Sequence, residues 1–142
     1  MKKNITSIIL FLMLMSLGIN AQNVKPEILG TWEITSSKIN GVNINLKNII
    51  KMKLITNTYF TWFSCSKENR ITRNSVGGTC TYDGKKYTEN IEFVGVGSTD
   101  MLHKMHVFNV TITGNKMHMT GTLANKDKID EVWTRVDGKK KL

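Results

Sequence analysis

A single proline, Pro26, lies near the start of the chain, and the residues after it form short runs of β-branched and aromatic side chains. Turn signals such as Asp83-Gly84 and Gly114-Asn115 separate these runs. Proline cannot donate to a sheet ladder, so its absence after residue 26 leaves every run able to pair. Several short strands with regular turns between them are typical of an antiparallel sandwich or barrel. The sequence therefore predicts an all-β fold.

The first 21 residues differ in character from the rest of the chain. Lys2 and Lys3 precede an apolar run over residues 8–17, and small or polar residues follow as far as Ala21. This order is typical of a secretory signal peptide. The apolar run is about ten residues, whereas a membrane-spanning helix needs roughly 20. We expect a signal peptide over 1–21, cleavage near Ala21, and a single soluble domain over 22–142, exported to the periplasm or secreted.

A hairpin is predicted around the two-residue turn Gly114-Asn115. Its facing pairs would be Ile112 with Met117, Val110 with Met119, Phe108 with Gly121, and His106 with Leu123. These pairs form one largely apolar face, and the alternate residues form a polar face. Such a sheet packs one side on a core and turns the other to water.

A second hairpin is predicted around Asp83-Gly84, with Cys80 facing Tyr87 and Gly78 facing Glu89. The same alternation predicts one inward face that carries Tyr87, Glu89, Ile91 and Phe93. This inward face includes a carboxylate, which an apolar core would not need.

The last strand adds further charges to the predicted interior. Its inward set is Ile129, Glu131, Trp133 and Arg135. A buried charge is costly unless it is paired, so such an interior is either internally paired or partly wet. We expect Glu89 and Glu131 to orient Arg135 or Lys53, or to contact a polar group of a ligand. The pattern therefore favours a barrel with a cavity that solvent can reach.

The two ends of the domain resemble those of the calycin superfamily, and of lipocalins in particular. The matching residues are Gly30 and Trp32 at the start of the first strand and Arg135 late in the last one. The resemblance implies that the indole closes one end of the barrel and that the guanidinium packs across it. A cation stacked on a tryptophan ring stabilises by roughly 0.5–2 kcal/mol. These three residues are therefore interpreted as structural closure.

Three further stretches, residues 59–62, 77–93 and 121–136, resemble small exported bacterial lipocalin-like proteins. Together with the first strand they span most of residues 22–142. The resemblance implies a single up-and-down antiparallel β-barrel of about eight strands. The chain departs from the lipocalin pattern in being short and in lacking a recognisable C-terminal flanking helix.

Binding of a small amphipathic or apolar molecule inside the barrel is the predicted function. The candidate ligand-binding residues are Trp62, Tyr87, Glu89, Phe108, Met119, Glu131 and Trp133. An eight-stranded barrel has an interior that either just fills with side chains or admits one small ligand. The alternative is therefore an interaction or inhibitor module with a filled barrel, and a third hypothesis is an isomerase or cyclase acting in the cavity.

Other classes of site find less support in the sequence. His103, His106 and His118 lie too far apart, or on opposite strand faces, to converge on a metal. The formal net charge is +9, but the basic residues are scattered lysines rather than the clusters of nucleic-acid-binding proteins. We expect no metal, no cofactor and no nucleic acid, a monomer, and at most weak contact with anionic membrane surfaces.

The two cysteines, Cys65 and Cys80, are predicted to be free thiols. Cys80 points inward by the hairpin argument, whereas Cys65 has the opposite parity to the inward Trp62. A disulfide needs its two Cβ atoms roughly 4 Å apart. A bulge near Ser64 is the alternative that would bring the two thiols to the same side.

Overall fold

The computed structural model describes residues 24–136, and nearly all of its regular structure is β-strand. The nine strands are β1 (Gly30–Ile39), β2 (Val42–Asn43), β3 (Ile49–Ile55), β4 (Tyr59–Ser66), β5 (Thr72–Tyr82), β6 (Lys86–Val94), β7 (Met105–Thr113), β8 (Lys116–Thr122) and β9 (Lys128–Arg135). Two short 3₁₀ helices, Pro26–Ile28 and Val96–Met101, lie outside the sheet. The predicted signal peptide, residues 1–21, lies outside the described residues.

The strands form one closed antiparallel barrel. Each strand from β3 to β8 pairs with the next in sequence, and β1 pairs with both β3 and β9. Closure removes the sheet edges that would otherwise be free to pair with another chain. The short strand β2 pairs only with the end of β1, so the barrel itself has eight strands. The predicted fold class, an up-and-down β-barrel of about eight strands, is confirmed.

The barrel has two unlike ends, which we name by their structure. At the closed end β1 begins and β9 finishes, and the helix Pro26–Ile28 lies against it with Ile28 fully buried. At the open end β1 finishes and β9 begins, and the helix Val96–Met101 flanks it. Most of the buried apolar side chains belong to a single cluster inside the barrel.

The β7–β8 hairpin has the predicted register. Ile112 pairs with Met117, Val110 with Met119, and Phe108 with Gly121. Met117 and Met119 are almost fully buried. The turn sequence and the alternation of apolar and polar residues are both local signals, and they agree here.

The β5–β6 hairpin corrects the second predicted register. Tyr82 pairs with Tyr87 and Cys80 with Glu89, so residues 83–85 connect the two strands rather than Asp83-Gly84 alone. The Asp83 carboxylate accepts hydrogen bonds from the backbone N–H groups of Lys86 and Lys85, at 2.7 and 2.8 Å, which stabilises this longer turn. These bonds also hold the pKa of Asp83 below its ordinary value. The shift is two residues, so Tyr87 and Glu89 keep their inward direction.

Phe93 does not share the inward face to which it was assigned. A bulge lies between the pairs Gly77–Phe93 and Gly78–Ile91, so one extra residue in β6 reverses the alternation. Phe93 is 55% exposed and its ring lies over Gly77, where any Cβ would collide with it.

Candidate ligand-binding site

A buried ion pair crosses the middle of the barrel. Lys53 of β3 and Glu89 of β6 approach to 2.6 Å between Nζ and Oε1, and each side chain is only 2% exposed. Taking both charges out of water costs several kcal/mol per ion, which the pairing must offset. Glu89 is therefore inward, as expected, and its partner is one of the two cations that the sequence suggested.

A second ion pair lies in the same interior and is more open to water. Lys51 of β3 contacts Glu131 of β9 at 2.9 Å, with side chains 24% and 6% exposed. The other Glu131 oxygen accepts a hydrogen bond of 3.1 Å from the Trp133 indole. Both oxygens of this carboxylate are therefore occupied by donors of the protein itself.

Aromatic rings surround both ammonium groups. The Lys51 Nζ lies 4.9 Å from the ring centroid of Trp62 and 5.3 Å from that of Trp133. The Lys53 Nζ lies 5.0, 5.4 and 5.7 Å from the ring centroids of Trp133, Tyr87 and Phe108, respectively. Cations within about 6 Å of such rings are attracted to the ring face. The rings therefore offset part of the desolvation of the two lysines.

Next to these ion pairs the barrel encloses a cavity of about 190 Å³. Its lining residues are Ile39, Lys51, Lys53, Trp62, Glu89, Met101, His106, Phe108, Met119, Leu123, Ile129 and Glu131. The wall thus combines both ion pairs with apolar and aromatic side chains. That mixture is typical of small-molecule sites, where a few polar groups fix the orientation of a mostly apolar ligand.

The seven candidate ligand-binding residues are divided by the structure into two groups. Trp62, Glu89, Phe108, Met119 and Glu131 line the cavity. Tyr87 and Trp133 do not; both are fully buried, and they contact Lys53 from the side of the core.

A second cavity, of about 230 Å³, adjoins the first at the open end. The two share Met101, His106 and Leu123 as lining residues, and the helix Val96–Met101 contributes Asp100 to the outer one. These shared residues mark the mouth of the barrel.

His106 is the polar residue at this mouth. Burial lowers the pKa of its imidazole, and the nearby Lys53 lowers it further against the opposing effect of Glu89. The ring is therefore neutral near pH 7, and its Nε2 accepts a hydrogen bond of 3.3 Å from the Ala124 N–H. A neutral imidazole that accepts at Nε2 carries its proton on Nδ1, so the ring offers one N–H donor.

Beneath the cavity lie two further polar groups, Tyr87 and Cys80. The Tyr87 hydroxyl is buried and makes no hydrogen bond of good geometry within residues 24–136, although the Cys80 thiol and Glu89 carboxylate are its polar neighbours. Burial, with the negative charge of Glu89 nearby, raises the pKa of Tyr87 well above its usual range. Burial likewise raises the pKa of Cys80 to about 11. Both groups stay protonated at neutral pH.

The three predicted closure residues meet at the closed end. The Arg135 guanidinium lies 4.1 Å from the ring centroid of the fully buried Trp32. It also donates hydrogen bonds to the backbone oxygens of Leu29 and of Glu27, the latter at 2.6 Å. The Trp32 indole donates to the Ile28 oxygen at 2.9 Å.

Gly30 is required beside this pair for two reasons. Its φ of +128° is rarely adopted by other residues, and a Cβ there would come within 2.7 Å of the Arg135 guanidinium. Arg135 binds backbone oxygens in this arrangement. The two inward glutamates were expected to orient Arg135 or Lys53, and they pair with lysines.

Both cysteines are free and buried. Cys80 belongs to the core cluster, whereas Cys65 does not. A bulge between Ser64 and Cys65 is present in the β4–β5 pairing. Cys65 lines a separate cavity of about 320 Å³ together with Glu68 and Arg73.

Lys51 is the residue that the sequence reasoning missed. In β3, the residues Ile50, Met52 and Leu54 form the more apolar alternate set, yet the strand turns Lys51 and Lys53 inward and leaves Leu54 38% exposed. The signal that could have revealed this was the pair of inward carboxylates, since each needs a cation that reaches the barrel axis.

Residues 24–136 contain neither a membrane-spanning helix nor a cluster of metal-binding side chains. No helix in this range has the length and apolarity needed to cross a membrane. No three histidine, cysteine, aspartate or glutamate side chains in this range come together in a way that could hold a metal ion.

No protein-family model matches the sequence, and no curated protein matches it at a significant level. Among solved structures, a redesigned β-barrel is similar, with a TM-score of 0.51 and 11% identity over 78% of this chain and 93% of that one. The fatty acid transporter REP1-NXSQ has a TM-score of 0.44 and 14% identity, over 80% of this chain and 98% of that one. A mutant of the fluorescent protein UnaG has a TM-score of 0.42 and 12% identity, over 78% and 97%. At such low identity the likeness concerns the fold alone, a closed antiparallel β-barrel.

Proposed function

We propose that the barrel binds a compact, partly apolar molecule that carries an anionic or hydrogen-bond-accepting end. One observation carries this proposal: a cavity of about 190 Å³ inside the barrel whose wall joins two ion pairs to apolar and aromatic side chains. The proposal includes a lipocalin-like role, which the resemblance of Gly30, Trp32 and Arg135 supports. A filled barrel, as in the alternative of an interaction module, would leave no such space.

The volume limits the size of the ligand. A cavity of about 150 Å³ in another protein accepts benzene, whereas drug-sized ligands occupy roughly 300–1,000 Å³. A space of about 190 Å³ therefore suits a single ring or a short branched chain. Longer molecules would have to extend through the mouth, past His106 and Leu123.

The charged side chains of the cavity wall indicate which kind of polar group the ligand carries. Glu89 and Glu131 already bind lysines, and the second Glu131 oxygen accepts from the Trp133 indole, so the two negative charges are compensated within the protein. The cavity wall also carries donors that can serve a ligand: the remaining N–H groups of the partly exposed Lys51, and the Nδ1–H of His106. An acceptor such as a carboxylate fits these donors.

Binding can be tested with compact aromatic and branched-chain carboxylates and their neutral primary amides, by tryptophan fluorescence and thermal shift. We expect the carboxylates to bind more tightly than the amides, and Lys51→Met to remove this preference while amide binding persists. Lys116→Met, at the exposed closed end, is the matched control and should keep the preference. If no compound shifts either signal, the binder proposal fails and the interaction module takes its place.

We further propose that the domain is exported. The support is the signal-peptide pattern of residues 1–21, with charged, apolar and small-residue regions in the required order. N-terminal sequencing of the exported protein should find a start near Gln22. A start at Met1 would contradict the proposal.

A further inference from the structure

Exposed apolar side chains concentrate around the mouth of the barrel. We define the open rim as residues 38–49, 66–73, 94–105 and 122–128, the four segments that connect strands at the open end. Eleven large apolar side chains are exposed within residues 24–136, and seven of them lie in the open rim. These seven are Val42, Ile44, Ile49, Ile71, Val96, Leu102 and Met105, with Val96 94% exposed.

The same segments are strongly basic. Their exposed cations are Lys38, Lys47, Lys67, Arg70, Arg73, Lys104, Lys126 and Lys128. Only three acidic residues, Glu68, Asp100 and Asp127, accompany them. Apolar side chains that water does not favour are thus interspersed with cations that an anionic surface attracts.

From this juxtaposition we propose that the open rim docks on an anionic lipid surface with the mouth of the barrel facing the lipids. Cations near such a surface bind through the negative potential of the headgroups, and apolar side chains on three of the four segments enter the boundary between headgroups and acyl chains. The helix Val96–Met101 carries Val96 and borders the outer cavity, so docking places this cavity against the lipid.

The composition of the open rim favours lipid over a protein partner. Protein interfaces are enriched in aromatic residues and arginine and depleted of lysine. In the open rim six of the eight cations are lysine, and none of the seven exposed apolar side chains is aromatic. These side chains also project from three separate segments, an arrangement to which a fluid surface can conform.

Docking does not depend on whether the cavity holds a ligand, so the two proposals can fail separately. Vesicle flotation is the test, with vesicles of phosphatidylcholine alone and of phosphatidylcholine mixed with phosphatidylglycerol. We expect binding to the mixed vesicles that weakens as salt is raised, and little binding to phosphatidylcholine alone. Equal binding to both, or to neither, would overturn the proposal.

Matched variants locate the docking surface. Lys47→Gln/Lys67→Gln/Lys104→Gln removes three cations from the open rim, and Lys25→Gln/Lys85→Gln/Lys116→Gln removes three exposed ones from the closed end. Each cation near an anionic surface contributes roughly fivefold to binding, so the rim variant should bind roughly a hundredfold more weakly and the closed-end variant should change far less. Equal losses would mean that overall charge, not the rim, is responsible. Any contribution of residues 1–21 is common to both variants and cancels.

A second variant tests the apolar contribution. Val96→Ser/Leu102→Ser leaves the net charge unchanged, and both side chains are exposed, so the fold should tolerate it. We expect weaker binding to the mixed vesicles, most clearly at high salt, where electrostatic attraction is screened. Unchanged binding at high salt would show that the aliphatic side chains do not enter the lipid, and would overturn the orientation proposed for the mouth.

Discussion

The two ends of the barrel satisfy their polar groups in different ways. At the closed end the Trp32 indole and the Arg135 guanidinium donate to backbone oxygens next to them, and the guanidinium stacks on the indole ring. Toward the open end the lysines and glutamates pair across the interior and border a cavity. The contrast shows that one end is organised for closure and the other retains space, so stability and binding are expected to respond to different residues.

The largest expected effect concerns tryptophans at the two ends. Trp32→Ala should lower the free energy of unfolding by about 3–5 kcal/mol, as large core truncations do. Trp62→Ala, at the half-buried wall of the cavity, should lower it by only about 1–2 kcal/mol. Urea unfolding of both variants measures the difference. A double-mutant cycle of Trp32→Ala with Arg135→Ala should also show coupling, and additive losses would mean that the two side chains do not interact.

The ion pairs provide the second test. Glu89→Gln leaves Lys53 buried without a counter-charge and should cost about 3–5 kcal/mol. The double variant Lys53→Met/Glu89→Leu removes both charges and should be more stable than the single variant. Glu131→Gln should cost less than Glu89→Gln because Lys51, its partner, is 24% exposed and keeps part of its hydration. Equal losses from the two single variants would show that the two pairs are equally dry.

The two thiols should react at different rates in the folded protein. Cys80 lies in the core cluster, and the burial that raises its pKa to about 11 leaves almost no thiolate at neutral pH. Cys65 lies outside that cluster and lines a cavity at the open end. We expect iodoacetamide to label Cys65 first and Cys80 only on unfolding, as followed by mass spectrometry. A mass two hydrogens lighter with no labelling at all would instead reveal a disulfide.

The smallest effect is the pH dependence due to His106. Its folded pKa is lowered by burial, while the unfolded value is about 6.5. Above about pH 6.5 the imidazole is mostly neutral in both the folded and the unfolded protein. Below that pH the unfolded protein binds the proton more readily than the folded one, so the free energy of unfolding decreases as the pH is lowered, until the folded pKa is passed. Chemical unfolding at about pH 7.5 and about pH 5.5 should show this loss in the parent, and His106→Gln should reduce it. His118→Gln, on the exposed His118–Asp130 pair, should leave the contribution of His106 in place, and an identical reduction in both variants would contradict the assignment.

Features that depend on local signals could be predicted from the amino-acid sequence. The Gly114-Asn115 turn and the alternation around it specified the β7–β8 register. The resemblance carried by Gly30, Trp32 and Arg135 indicated the residues that meet at the closed end. The predicted register of the β5–β6 hairpin was wrong by two residues, but the predicted inward direction of Glu89 was right, because a shift of two preserves the strand face.

Which cations pair with those carboxylates, and how much space remains beside them, depends on the three-dimensional packing of the barrel. Lys53 and Glu89 are 36 residues apart, and Lys51 and Glu131 are 80 apart, so neither pair leaves a local trace in the sequence. The apolar pattern of β3 even favoured the opposite face, and a single bulge turned Phe93 outward. The cavity is the volume left over after side chains from strands all around the barrel have packed. That remainder depends on registers and bulges set by hydrogen bonding between distant strands, because each strand's alternation specifies two faces but not which of them points toward the barrel axis.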